Sequence, residues 1–120
     1  MHELSVAANI FETVREHVPI VRAPAARAVR VRVGDLAGIV ADSLDFCFGA
    51  LVAGTPYSGC YLAIERISGR GECAHCGRTF TLTSPTFACP VCGSLALATS
   101  GGTDLHVVDI ELDDAVEVPA

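Results

Sequence analysis

The sequence of 120 residues contains no long uninterrupted hydrophobic segment. The apolar run of residues 36–41 includes a glycine and, like every other apolar run of the chain, is far shorter than the roughly 18 residues of a membrane-spanning helix. The first residues include acidic Glu3 and no basic stretch ahead of an apolar one, so no signal peptide is predicted. We therefore expect a cytoplasmic protein that does not have a membrane as a partner.

Basic residues are scarce as well. Eight lysines and arginines stand against fourteen aspartates and glutamates, which gives a net charge of −6. A protein that binds nucleic-acid phosphates needs a concentrated basic face. The sequence offers only a modest cluster, at Arg22, Arg27, Arg30 and Arg32. We interpret this cluster as a solvated strand face or a protein-contact patch, and we expect no nucleic-acid partner.

Motifs that mark common enzyme classes are also missing. The glycine-rich stretches do not match a phosphate-binding loop, and no nucleophile stands in a recognisable pattern with a general base. We predict that the chain is not an enzyme and has no catalytic residues.

Hydrophobic patterning, in contrast, is strong, and apolar residues make up 51% of the chain. Helical spacing over residues 3–18 and 43–53 predicts two helices, the second capped by Asp42. Alternation predicts a strand over residues 28–34, and two further apolar segments, 60–67 and 105–112, are also typical of strands. The pattern predicts an α/β fold, namely a small mixed sheet with two helices.

Composition changes at Ser68-Gly69-Arg70-Gly71 and changes back at Gly101-Gly102. The segment between them has few core-forming residues and carries four of the six cysteines. We predict two domains, an α/β domain formed by residues 1–68 with 100–120 and an inserted zinc-ribbon-like domain formed by residues 69–99.

Two paired-cysteine motifs define this insertion, Cys73-x-x-Cys76-Gly77 and Cys89-Pro-x-Cys92-Gly93. Two residues between thiolates allow both sulfurs to face one ion, and the glycine after each pair can adopt a positive φ that tightens the turn. Four thiolates form a closed tetrahedral site that suits structural Zn²⁺. Iron is the main rival metal, and disulfides are the alternative in a secreted chain.

Three other residues, one histidine and two cysteines, are weaker candidates for binding a metal than the four paired cysteines. His75 stands inside the first pair, but four cysteines already fill a tetrahedral sphere, so we place its ring outside the sphere. Cys47 and Cys60 fall outside the pairs and are interpreted as buried small hydrophobic residues.

The first residues, Met1-His2-Glu3, form a candidate chelate of a different kind. Met1 offers its amine, His2 offers its amide and its ring, and Glu3 offers its amide or carboxylate. A nitrogen-rich, square-planar set of donors suits Ni²⁺ or Cu²⁺ rather than Zn²⁺. The alternative is that His2 is an ordinary surface residue.

Five segments occur in one order along the chain: Met1-His2-Glu3-Leu4-Ser5-Val6-Ala7, residues 33–40, the two cysteine motifs, and Gly102-Thr103-Asp104-Leu105. In this combination the chain resembles the HypA/HybF family, the nickel-insertion metallochaperones of [NiFe]-hydrogenase maturation. The resemblance covers essentially the whole chain. Asp35 and Asp104 stand where many relatives carry glutamate, which keeps the charge.

The resemblance implies a nickel metallochaperone with an α/β nickel-binding domain and a small zinc domain. It implies transferable Ni²⁺ at the first residues, with His2 as the essential side chain and Glu3 beside it. It implies structural Zn²⁺ held by Cys73, Cys76, Cys89 and Cys92. The implied partners are a HypB-type GTPase, which would supply GTP hydrolysis, and the immature hydrogenase large subunit.

Two rival hypotheses remain from the residues alone. One is a zinc-ribbon adaptor protein, and the other is a rubredoxin-like electron carrier; neither has a nickel role.

Overall fold

The computed structural model describes residues 3–83 and 88–113. Its helices are α1 (Glu3–His17), α2 (Ala41–Val52) and a short 3-10 helix (Ile20–Ala25). Its strands are β1 (Ala26–Gly34), β2 (Tyr61–Ile67), β3 (Gly69–Cys73), β4 (Thr79–Leu82), β5 (Leu97–Gly101) and β6 (Leu105–Leu112).

Helix α1 follows from apolar residues at helical spacing. Val6, Ile10 and Val14 recur every four positions and are all buried, which places them on one face of the helix. Glu3 lies in the first turn, where the positive end of the helix dipole favours a carboxylate. The helix ends at His17, two residues before Pro19.

Helix α2 begins earlier than its sequence pattern predicts. Its N-cap residue is Val40, which has an extended backbone and makes no side-chain capping bond. The prediction that Asp42 caps this helix is therefore wrong. Asp42 instead lies in the first turn, where its carboxylate still interacts favourably with the helix dipole.

The larger sheet has the strand order β2-β1-β6 and is mixed, as predicted. β1 and β2 are parallel, and α2 lies in the connection between them, because parallel neighbours need a crossover. β1 and β6 are antiparallel, with a register shift between the Arg30 and Val31 pairs. In β1, Val29, Val31 and Val33 face the core and are at most 2% exposed.

The two helices pack on the face of the sheet that carries these valines. Leu44 and Phe48 of α2 are fully or almost fully buried there. The Phe11 ring makes edge contacts with Phe48 and Tyr57, at centroid distances of 6.3 and 5.6 Å. The Tyr57 hydroxyl donates a hydrogen bond of 2.7 Å to the Val18 carbonyl and so ties the end of α1 to the loop after α2.

The opposite face of this sheet is polar and carries ion pairs. Arg30 lies 3.1 Å from Asp109, and Arg32 lies 3.4 Å from Glu65. Two of the four arginines of the predicted cluster, Arg30 and Arg32, are thus each paired with an acidic residue on an adjacent strand, which reduces the positive charge available to a phosphate backbone.

The smaller sheet, called the ribbon below, comprises β3, β4 and β5 in the order β4-β3-β5, with both pairings antiparallel. Few side chains of the ribbon are buried. A side chain at Gly71 would meet the Phe80 ring at 2.6 Å, and Leu82 is the one large apolar side chain of these three strands that is buried. A sheet with so few buried apolar groups needs another source of stability, such as a metal.

Within the described ranges 3–83 and 88–113, no helix is both long enough and apolar enough to cross a lipid bilayer.

Candidate metal centre

The two cysteine motifs form tight turns with the same backbone hydrogen bonds. In the first turn, the Gly77 N–H donates to the Cys73 carbonyl at 2.8 Å, and the Cys73 N–H donates to the Arg78 carbonyl at 2.9 Å. In the second turn, Gly93, Cys89 and Ser94 repeat this pattern at 2.9 and 2.8 Å. The two turns are therefore equivalent binding units.

The predicted glycine conformation is present in both turns. Gly77 and Gly93 each have φ of 76°, a left-handed conformation that costs other residues free energy. A Cβ added at either position would meet nothing within 4 Å. The requirement for glycine therefore comes from the backbone conformation and not from lack of space.

These turns bring four sulfur atoms together. The Sγ atoms of Cys73, Cys76, Cys89 and Cys92 all lie within 4.8 Å of one another. The Cys73–Cys92 and Cys76–Cys89 sulfur distances are 3.6 and 3.8 Å. A metal bound by four sulfurs at roughly 2.3 Å in a regular tetrahedron has sulfur–sulfur distances of about 3.8 Å. The cluster therefore has the size of a tetrahedral metal cage, and its sulfurs are too far apart for disulfides.

The cage has a buried side and an exposed side. Cys73 and Cys89, the first cysteine of each pair, are buried, whereas Cys76 and Cys92 are exposed. His75 is also exposed, and its ring is not part of the cluster. A metal ion here would have protein on one side and be close to solvent on the other.

Backbone N–H groups stabilise negative charge on the two inner sulfurs. The Cys76 N–H lies 3.4 Å from the Cys73 sulfur and, as the main cause, lowers the pKa of Cys73 to about 6. The pKa of Cys89 is also lowered, chiefly by the Cys92 N–H and secondarily by that of Val91. Both inner cysteines are thus prepared to bind a cation as thiolates.

Cys92 behaves in the opposite way. The Ser94 N–H favours its thiolate, but partial desolvation of the sulfur and the hydrogen bonds with the neighbouring sulfurs together outweigh that effect and raise the pKa of Cys92 to about 11, although the residue as a whole is exposed. Four sulfurs this close cannot all be ionised without a cation between them, so the last proton is held tightly. A divalent metal ion bound among the four sulfurs would supply the missing positive charge.

The donor set fits Zn²⁺. Four sulfur donors in a closed tetrahedron are the usual ligands of structural zinc, and iron is bound by the same arrangement. The ligands of such a site would be the four clustered cysteines, and the chemistry the ion supplies would be cross-linking of the two turns.

The two unpaired cysteines are separate from this site. Cys60 is 5% exposed, and burial raises its pKa although the charge of Arg27 opposes the shift. A buried thiol that keeps its proton is a weak nucleophile and a weak metal ligand. Cys47, on α2, is half-buried, so the prediction of a buried residue is confirmed for Cys60 and only partly so for Cys47.

The proposed amino-terminal chelate is described only at its third residue. Glu3 is the first residue of α1 and is half-buried. Met1 and His2 lie outside the described residues.

One set of contacts has no counterpart in the sequence prediction. Asp35 and Leu36, just after β1, contact both segments that connect the larger sheet to the ribbon. The paired glycines at Gly101-Gly102 and the Gly69-x-Gly71 pattern mark where such close contacts occur, but a sequence does not show which residue fills the space beside them.

A mixed α/β lobe with an inserted four-cysteine ribbon defines a class of small metal-binding proteins. Residues 1–112 match the family described as "Hydrogenase/urease nickel incorporation, metallochaperone, hypA". The chain belongs to this family, and the predicted resemblance is confirmed.

Two relatives show the extent of the similarity. The chain is 38% identical over 116 residues to "Hydrogenase maturation factor HypA" of Streptomyces avermitilis, covering 95% of this chain and 88% of that protein. It is 35% identical over 113 residues to the protein of the same name from Geobacter sulfurreducens, covering 94% of this chain and 100% of that protein.

A solved structure shows the same fold. The solution structure of the Ni metallochaperone HypA from Helicobacter pylori is similar with a TM-score of 0.59, covering 94% of this chain and 98% of that chain, at 20% identity. At this identity the similarity concerns the fold alone.

Proposed function

We propose that this protein is a nickel metallochaperone that delivers Ni²⁺ for maturation of [NiFe]-hydrogenase. The observation that carries the proposal is the family match, which spans residues 1–112 and so includes both the opening Met1-His2-Glu3 and the four cysteines. The relatives are named as hydrogenase maturation factors, which agrees with a carrier rather than a catalyst.

The proposed nickel site comprises Met1, His2 and Glu3. The Met1 amine, the His2 amide and the His2 ring are consecutive donors that can form adjacent chelate rings, and Glu3 is close enough in sequence to complete the set. Nitrogen-rich, square-planar coordination suits Ni²⁺. A site at a chain terminus also leaves the ion accessible to an acceptor protein, which a carrier needs.

The proposed role of Zn²⁺ is structural. Cys73, Cys76, Cys89 and Cys92 occupy all four positions of a tetrahedral site, so no position is left for a substrate. The ribbon has few buried apolar side chains, and bound metal would supply much of its folding free energy. The same argument supports treating residues 69–99 as a separate zinc domain inserted between residues 1–68 and 100–120.

The proposed partners are a HypB-type GTPase and the immature hydrogenase large subunit. Copper binds nitrogen donors more tightly than nickel does, so affinity alone cannot select nickel. Docking to partners that supply and accept the ion would provide that selection. We place this activity in the cytoplasm, where thiols remain reduced and available for metal.

The alternatives from sequence are an adaptor protein and a rubredoxin-like electron carrier. The family match favours neither, because its description names nickel incorporation. Iron in the cage would give the purified protein a red colour, whereas zinc would leave it colourless.

Nickel titration of His2→Ala tests the proposed site. Protein with its native Met1 amine is loaded with zinc and titrated with Ni²⁺ in a calorimeter, and the expected result is loss of the tight nickel site with zinc content unchanged. His17→Ala is the matched control. Its ring lies at the other end of α1, about 21 Å from Glu3 along the helix axis at 1.5 Å per residue, and should leave nickel binding intact.

A second variant tests the terminal amine. A short extension before Met1 keeps His2 and every other side chain but converts the amine into an amide, so tight nickel uptake should be lost. Unchanged uptake by both the extended protein and His2→Ala would contradict the proposed site.

A further inference from the structure

Within residues 3–83 and 88–113, the chain passes twice between the larger sheet and the ribbon. The first crossing runs from Ile67 at the end of β2 to Gly69 at the start of β3, and the second runs from Gly101 at the end of β5 to Leu105 at the start of β6. Any fixed relation between the two sheets depends on how these two crossings are held.

Three successive N–H groups, those of residues 34–36, bind both crossings. The Gly34 N–H donates to the Asp104 carbonyl at 2.7 Å, and the Asp35 N–H donates to the Ile67 carbonyl at 2.8 Å. The Leu36 N–H then returns to the second crossing and donates to the Gly102 carbonyl at 2.7 Å. One short loop is therefore bonded alternately to each crossing.

The Asp35 side chain strengthens the bond to the first crossing. Its Oδ1 atom accepts a hydrogen bond from Arg66 Nε at 2.8 Å and lies 2.7 Å from Arg66 Nη2. Its Oδ2 atom accepts a hydrogen bond from the Ser68 hydroxyl at 3.2 Å. The Asp35 side chain is 6% exposed, unlike that of Arg66, which is 60% exposed. Charged hydrogen bonds to a shielded carboxylate are stronger than those of exposed pairs.

The Leu36 side chain fills the space where the crossings touch. A Cβ added at Gly69 would overlap Leu36 Cδ1, and one added at Gly102 would lie 3.1 Å from Leu36 Cγ and 2.7 Å from the Gly69 backbone. Side chains at these glycines would thus collide with Leu36 or with the other crossing. Both glycines are needed for this packing, and Gly102 also has a positive φ of 73°.

We propose that Asp35 and Leu36 are positioning residues that fix the orientation of the ribbon relative to the α/β lobe. They act as a clamp on both crossings, so the four-cysteine end of the ribbon is presented to a partner in one arrangement. The clamp is formed by residues 34–36, part of the segment 33–40 that the metal sites do not use, and it does not depend on where nickel binds.

Nuclear magnetic resonance relaxation of the zinc-loaded full chain tests this proposal. In the wild type, backbone amides of β1 and of β3 should report one common rotational correlation time. The double variant Asp35→Asn/Leu36→Ala should lower the transverse relaxation rate of the β3 amides below that of the β1 amides. Zinc content should stay at one ion per chain, and the chemical shifts of residues near the cysteines should not move.

The matched control is Glu65→Gln. It removes an ion pair between β1 and β2, Arg32–Glu65 at 3.4 Å. This pair contacts neither crossing. Its two sheets should still tumble together. Common tumbling in the double variant would overturn the proposal, because the crossings would then be held without the clamp.

Three single variants test the proposal if the double variant does not fold. Arg66→Gln removes the two guanidinium contacts to the Asp35 carboxylate, and it changes an exposed residue. It should reduce the hydrogen-exchange protection of the Asp35 and Leu36 amides. Asp35→Glu keeps the charge and should restore most of the protection that Asp35→Asn loses. Protection of these amides that is equal in all three variants would overturn the proposal.

Discussion

Replacing Gly77 by alanine should weaken zinc binding by an amount that the backbone conformation sets. Gly77 has φ of 76°, and a side chain in this left-handed conformation costs roughly 1–2 kcal/mol. The new methyl group would meet no atom within 4 Å, so no steric term adds to this cost. Because the ribbon folds together with its metal, the cost should appear in the zinc affinity, as a loss of about 5- to 30-fold.

The assay is competition for zinc against a chromophoric chelator, and the chain supplies its own controls. Gly93→Ala has the same φ of 76° and the same free space, so it should lose the same factor. Gly49→Ala lies inside α2 with nothing within 4 Å of the new group. It should stabilise the α/β lobe by about 0.5–1 kcal/mol and leave zinc affinity unchanged.

A graded substitution sharpens the result. Asparagine tolerates the left-handed conformation better than alanine does, so Gly77→Asn should bind zinc more tightly than Gly77→Ala. Zinc affinity within twofold of the wild type in both Gly77→Ala and Gly93→Ala would refute the argument, because the turns would then not need a positive φ.

Two more predictions concern pH and the core. At neutral pH Cys73, whose pKa is lowered to about 6, is already a thiolate, whereas Cys92, whose pKa is raised to about 11, keeps its proton. As the pH falls below about 6, zinc must also displace the Cys73 proton, so the apparent zinc affinity should fall more steeply with pH below 6 than above it. The affinity is measured by chelator competition at a series of pH values, and a constant slope of log affinity against pH would contradict this assignment. Leu44→Ala removes a fully buried side chain from the α/β core and should lower the unfolding free energy of that lobe by about 2–5 kcal/mol, measured by urea denaturation with bound zinc retained; a change below 1 kcal/mol would show that the core is not packed around Leu44.

Much of the α/β lobe could be predicted from hydrophobic spacing. The strand predicted over residues 105–112 coincides with β6, and the other predicted helices and strands overlap α1, α2, β1 and β2 to within two residues at each end. Local patterns succeed here because one face of each element is buried against the same core. The cysteine spacing likewise predicted that the four sulfurs would meet.

The prediction was weakest where local patterns carry little information. The strands β3 and β5 are rich in glycine and small polar residues, so their sequences show no clear alternation, and both cysteine turns separate them along the chain. The predicted N-cap of α2 was wrong because the N-cap residue is Val40, which makes no side-chain capping bond, and Asp42 lies inside the first turn. The clamp at Asp35 and Leu36 joins residues that are more than thirty positions apart, and no local pattern encodes such a contact.

The pairing of β1 with β6 has a consequence for synthesis of the chain. Val31 pairs with Ile64 on one side and with Val107 on the other, so the central strand gains its second neighbour only after the whole ribbon has been translated. A nascent chain that stalls within the ribbon would present β1 with unpaired backbone groups, a surface on which other extended chains can add. Pairing of β1 on both sides therefore depends on β6, and premature termination before residue 105 should yield a product prone to aggregate.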